Sequence, residues 1–205
     1  MLQLLRADDR GAREGHRLTL FDAVQPDTIQ HINLKIFVAD PGAIELADAI
    51  PVFHQWIRDS VCPEMLIDVA DYRHVSAGPG IMLIGHEANY SFDNREHHLG
   101  LLYNRKAPLD GTFQTRLGQA YRATLEACAR LEQEAAFRGK LKFDRNKIEV
   151  FINDRLLAPN NEETWQALRP ELEKFFSGFT IQRIGESRDL FRVAVNHRLK
   201  SAPPL

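Results

Sequence analysis

Four of the eight histidines, His74, His86, His97 and His98, fall within 25 residues. Imidazole is the commonest metal ligand and the side chain that titrates nearest neutral pH. The tripeptides GHE at 85–87 and EHH at 96–98 invite a metal centre built on His86, Glu87 and His98. Spacing argues against it. The HExxH pattern needs a second histidine four residues after the first, and Tyr90 stands there. If the turn DNRE closes a hairpin, Phe92 faces His97 and His86 faces Tyr103. His86 and His97 are then near 20 Å apart at roughly 3.3 Å per residue, too far for shared coordination. The metal reading is therefore the last of three, and no residue is assigned as a metal ligand.

A different set is gathered by strand alternation. With a hairpin closed by residues 71–79, Asp68 faces Met82. Leu66, Asp68, Ile84, His86, Leu101, Tyr103 and Arg105 then share one sheet face, and Met65, Ile67, Val69, Ile81 and Leu83 share the other. Asn33, Lys35 and Phe37 of an earlier strand join the mixed face by the same parity. Asp68, His86, Tyr103 and Arg105 are the candidate catalytic residues, with His86 as general base or acid. Lys35 and Arg105 are the candidate ligand-binding cations. A carboxylate beside a guanidinium stays ionised, and a carboxylate beside an imidazole raises its pKa. Such a set could hold an anion or move a proton. The apolar members of this face predict that something covers it, be it the other half of the chain, another subunit or a ligand.

Other motifs carry less. SAGPG at 76–80 leads into a strand, so it lacks the helix N-terminus that makes a phosphate loop. No serine sits in a GxSxG elbow. Cys62 precedes a proline and has no basic cluster to favour its thiolate.

The elements that must position these residues follow from periodicity. Ile32, Leu34, Ile36 and Val38 alternate with Asn33, Lys35 and Phe37, which predicts a strand. Leu46, Ala49, Phe53, Trp56 and Ile57 predict a helix over 43–59, with Pro51 kinking it or starting a second segment. Strands are predicted at 65–71, 80–92 and 98–106, joined antiparallel as a meander. A long helix spans 112–137. KIEVFIND reads as a strand and Asn160 with Glu163 as a helix cap. FTIQRIG and DLFRVAVN read as a closing hairpin.

The two proline-containing helices align at an offset of 119 residues: Pro51 falls opposite Pro170 and Phe53 opposite Leu172. Each follows a strand and precedes a pair of strands. The fold class is therefore α+β: two βαββ, ferredoxin-like units with mainly antiparallel sheets, a pseudo-repeat with the long helix packed across it. Residues 1–28 read as a leader, partly disordered or an edge strand through Leu18 and Leu20. Residues 29–205 read as a single domain with pseudo-repeats at 29–110 and 140–198.

The chain has 205 residues, 44% apolar and 26% charged, with a net charge of -2. That length can bury a core without disulfides or a structural metal. The charge balance argues against nucleic acid and anionic membranes as partners. Two cysteines without metal spacing predict a reduced, cytoplasmic protein, and neither a secretory signal nor a membrane span is legible. The stretch MLIDVADYRHVSAGPGIMLIGHEANYSFDN…LGLLYNRK resembles an uncharacterised conserved bacterial protein family over residues 30–110. That resemblance brings no assigned activity and specifies no cofactor. The expected function is a soluble binding or assembly protein that uses the mixed sheet face as an interface, in a homo-oligomer, or as a pocket for a small anionic ligand. An enzyme acting through His86 is the alternative.

Overall fold

The computed structural model describes residues 24–197. The part of the leader containing Leu18 and Leu20, and the tail from 198 onward, lie outside the described residues. Among the described residues the fold is α+β, with eight strands in one antiparallel sheet and three α-helices. The strands are β1 (Ile32–Val38), β2 (Leu66–Tyr72), β3 (Gly80–Gly85), β4 (Ala88–Asp93), β5 (Gly100–Arg105), β6 (Phe143–Ile152), β7 (Phe179–Ile184) and β8 (Phe191–His197). The helices are α1 (Ala49–Asp59), α2 (Phe113–Leu131) and α3 (Glu162–Phe175). The sheet order is β2-β3-β4-β5-β1-β6-β8-β7, so the expected sheet units are parts of one continuous sheet.

Alternation fixes its two faces. Leu34 pairs with Tyr103 on one side and Val150 on the other, Tyr103 with Tyr90, Tyr90 with Leu83, and Val150 with Val193. This row and its neighbours two residues away form one apolar face. Phe53 and Trp56 of α1, Leu117 and Cys128 of α2, and Leu168 and Leu172 of α3 join that face in a single core. The helices thus lie on one side of the sheet, and α2 packs across β1 and β5.

Local chemistry explains the helix limits. Pro51 sits in the first turn of α1, where a missing N–H costs nothing, directly after a short 3-10 turn at Leu46–Asp48. Pro170 sits instead in the interior of α3, so the two prolines do not mark equivalent helical positions. Thr112 caps α2 by accepting from the Thr115 N–H, and Asp27 accepts from the Phe113 N–H at 2.7 Å. The helix ends at Leu131, and the predicted continuation to 137 is a series of turns. The cap of α3 is Asn161, which accepts from Thr164. Asn160, the expected cap, donates its amide to the carbonyls of Ile184 and Glu186.

One reversal changes the site. Residues 80–92 form two strands, not one, because the chain turns at His86 and Glu87, pairing Ile84 with Asn89 and Leu83 with Tyr90. The turn carries no Asn-Gly or Gly-Gly signal. The Ala88 carbonyl lies where a Cβ on Gly85 would be, 2.5 Å from the ideal position, so glycine admits the tight approach.

Candidate functional site on the open sheet face

The four predicted catalytic residues do not meet. Asp68 pairs with Ile84 on the face opposite the helices and is exposed; its carboxylate accepts from the next backbone N–H. His86 is in the β3–β4 turn, exposed, with Nδ1 3.4 Å from Glu87 Oε1. Tyr103 and Arg105 share the helix side, where Tyr103 is fully buried. The predicted shared face fails for two physical reasons. The turn at 86–87 removes His86 from any ladder, and Tyr103 pairs with Tyr90 rather than with His86. The predicted apolar side is corrected too. A bulge between Leu66 and Asp68 turns Leu66 inward, while Met65 and Ile67 are exposed. Leu101 likewise belongs to the helix-side core. Among the described residues no group of three or more His, Cys, Asp or Glu side chains could hold a metal ion. His86 and Glu87 lie at one end of β4 and His98 beyond the other.

Asn33, Lys35 and Phe37 do lie on the open face, as alternation predicts, and Lys35 is its centre. Its ammonium is 2.6 Å from Asp93 Oδ2, and both side chains are almost wholly buried, at 3% and 2% exposed. Sequence makes this reach possible at one point. Lys35 is on β1 and Asp93 on β4, with β5 between them. The β5 residue opposite Asp93 is Gly100, and a Cβ there would lie 2.8 Å from Lys35 Cε. The lysine stem crosses β5 over the bare glycine, passing its charge above the Phe37 ring.

A second charged group stands alongside. Arg192 of β8 forms a two-pronged pair with Glu96 at 2.7 and 3.0 Å and lies over the Phe151 ring. The hydrogen bonds from Arg192 hold the Glu96 carboxyl below its ordinary range. Glu96 and His97 both adopt left-handed backbone, with φ of 57° and 60°, so this turn is held against its local preference. Glu149 of β6 lies close by. Burial pushes its carboxyl above the ordinary range, against the pull of Arg192 and Lys35. These groups surround a chamber of about 10 Å³ that Lys35, Asp93, Glu149 and Arg192 line. An adjoining groove of about 330 Å³ shares Phe37, His98 and Glu149 with it and reaches solvent past Asp144 and Lys147. Asp93 Oδ1 is buried without a hydrogen-bond partner. A buried carboxylate oxygen in that state marks a place where something polar belongs.

A further polar cluster lies under α2. Glu64 accepts from Tyr90 at 3.1 Å and Tyr103 at 3.2 Å, and Gln119 donates to the Tyr103 oxygen at 2.8 Å. Burial pushes Tyr103 up to about 12 and Cys62 up to about 11. Both groups are therefore neutral at ordinary pH, and Cys62 has no activated thiolate. Each polar atom of Glu64 and the two tyrosines has a partner, and the cluster anchors the segment before β2 to the sheet.

No known family model matches the chain, and no curated protein matches it in sequence. Sequence reading picked out Lys35 and missed Asp93, Glu96, Glu149 and Arg192. The last two carried a usable signal. Glu149 and Arg192 are the polar members of alternating strands, and they fall on the Lys35 face once both halves are one sheet.

Proposed function

We propose that the chain is a small-ligand-binding protein whose site is the groove and chamber on the open sheet face. The observation that carries this reading is the buried Lys35–Asp93 pair, which lines the chamber and keeps one carboxylate oxygen without a partner. Burying two charges costs more than their attraction returns in many proteins. A fold with an apolar core of its own on the other side of the sheet has no need of such a pair for cohesion. The concave groove favours a small ligand over a flat interface between subunits. Lys35 keeps the ligand-contacting role expected of it; Arg105 stands on the other face and has none here.

The test is a fragment screen of the ¹⁵N-labelled full chain by amide correlation spectra. Small acids, amides, amines and alcohols form the library. Hits should shift the amides of Phe37, His98 and Glu149, and the shifts should vanish in Lys35→Met. Hits confined to the helix side of the sheet, or unaffected by Lys35→Met, would overturn the reading.

We also propose that the sheet is a fused pair of βαββ-type, ferredoxin-like units. The chain path supports it. From β1 the chain passes through α1 to the edge strand β2 and returns by a meander to β1; from β6 it passes through α3 to the edge strand β7 and returns by β8. The first unit carries one extra hairpin. A cytoplasmic location fits the two free thiols, Cys62 and Cys128, and no helix among the described residues is long and apolar enough to cross a membrane.

A further inference from the structure

We propose that the group recognised at the foot of this pocket is a hydroxyl, and that the ligand is a neutral polyhydroxylated molecule of the sugar or cyclic-polyol class. The inference rests on the ligand-site reading above and specifies what the site takes.

Three constraints converge. The first is hydrogen-bond complementarity. Asp93 Oδ1 can only accept, and it has no donor. Lys35 carries three N–H donors, one of which goes to Asp93 Oδ2. A group fitting between them must donate to one and accept from the other. The second is size. A chamber of about 10 Å³ admits roughly one oxygen-sized atom. A carboxylate, phosphate or guanidinium has too many heavy atoms, whereas a hydroxyl donates and accepts through a single one. The third is charge. The residues lining the chamber balance three cations, Lys35, Arg95 and Arg192, against three carboxylates, Asp93, Glu96 and Glu149. A charged ligand group would therefore enter without a counter-charge, at the cost of an uncompensated buried ion.

The outer groove agrees with the rest of such a ligand. Its wall combines the Phe37 ring, set edge-on to His98, with Asp144, Lys147 and Glu149. A pyranose or inositol ring presents an apolar C–H face and a rim of hydroxyls that both donate and accept. The Phe37 side chain and the charged rim of the groove supply the counterparts of each. At about 330 Å³ the groove is at the small end of the range for ligand pockets.

The experiment is a titration of the ¹⁵N-labelled full chain with methyl β-D-glucopyranoside, methyl β-D-galactopyranoside and myo-inositol. Glucuronate and glucosamine serve as charged counterparts. The expected result is saturable shifts at Phe37, His98 and Glu149 with at least one neutral polyol, and weaker binding of its charged counterpart. Asp93→Asn keeps the side chain's shape but replaces one carboxylate oxygen with a donor. It should weaken that binding about tenfold, the weight of one hydrogen bond to a charged group, read at a temperature where the amide dispersion shows the variant folded. If no neutral polyol shifts these amides, the hydroxyl assignment falls. If only the acid or the amine shifts them, the hydroxyl assignment falls and the ligand-site reading stands. If Asp93→Asn binds as tightly as the parent, Asp93 is not the acceptor and the proposal is overturned.

Discussion

Tyr103 shows how far one side chain's role depends on which side of a sheet it faces. Alternation correctly groups Leu101, Tyr103 and Arg105, but that row is the underside of the sheet, beneath α2. There the phenol is a buried, neutral hydrogen-bond donor to Glu64 instead of a proton carrier. Its raised pKa has a defined consequence for stability. A phenol ionises at about 10 in the unfolded chain and at about 12 in the fold. The folded state therefore holds the proton more tightly. The contribution is fully present below pH 10 and is lost as pH rises through about 12. Denaturant midpoints measured from pH 8 to 12 should stay level to about 10 and then fall. Tyr103→Phe should make the fall shallower while lowering stability at pH 8 by about 1 kcal/mol for the lost hydrogen bonds. A fall of equal steepness in the variant would show that Tyr103 is not the titrating group. Buried Tyr90, whose pKa is also raised chiefly by burial, accounts for the decline that persists.

At the scale of elements, the open-face pocket depends on β5 having no side chain at Gly100. Gly100→Ala would bring a methyl against the Ile36 carbonyl and the Lys35 stem, at 2.7 and 2.8 Å. The expected cost is roughly 1–3 kcal/mol of overpacking, with loss of pocket ligand shifts. A Gly100→Ala chain that is as stable as the parent and still binds would mean that the lysine does not need that path. Most elements were legible because their apolar periods are clean: β1, β2, β5, α1, α3 and the β7–β8 hairpin stand close to where the sequence puts them. The failures share one cause. The turn at His86–Glu87 and the true cap at Asn161 are specified by close backbone approach and by partners distant in sequence, such as the carbonyls that hold Asn160. Neither leaves a local composition signal. Moving that one turn displaced His86 and separated it from Tyr103. The β2–β3 register was off by two residues, which preserves parity, so Asp68 and Ile84 still fall on the predicted face.

For the whole molecule, the two sheet faces have different work. The helix side holds the continuous apolar core, with Trp56, Phe53, Phe92 and Phe113 fully or almost fully buried. The other side buries ions: Lys35 over Phe37, Arg192 over Phe151, each covering the ring it crosses. The long cationic stems thus cover part of this face themselves. On the proposed ligand-binding role, the pair at its centre serves binding and not cohesion. Denaturant unfolding of Lys35→Met, Asp93→Leu and the Lys35→Met/Asp93→Leu double variant separates these roles. Each single variant strands a buried charge and should lose about 3–5 kcal/mol, whereas the double variant should unfold at or above the parent's midpoint. A double variant as unstable as either single one would contradict the account, because the pair would then be needed by the sheet itself.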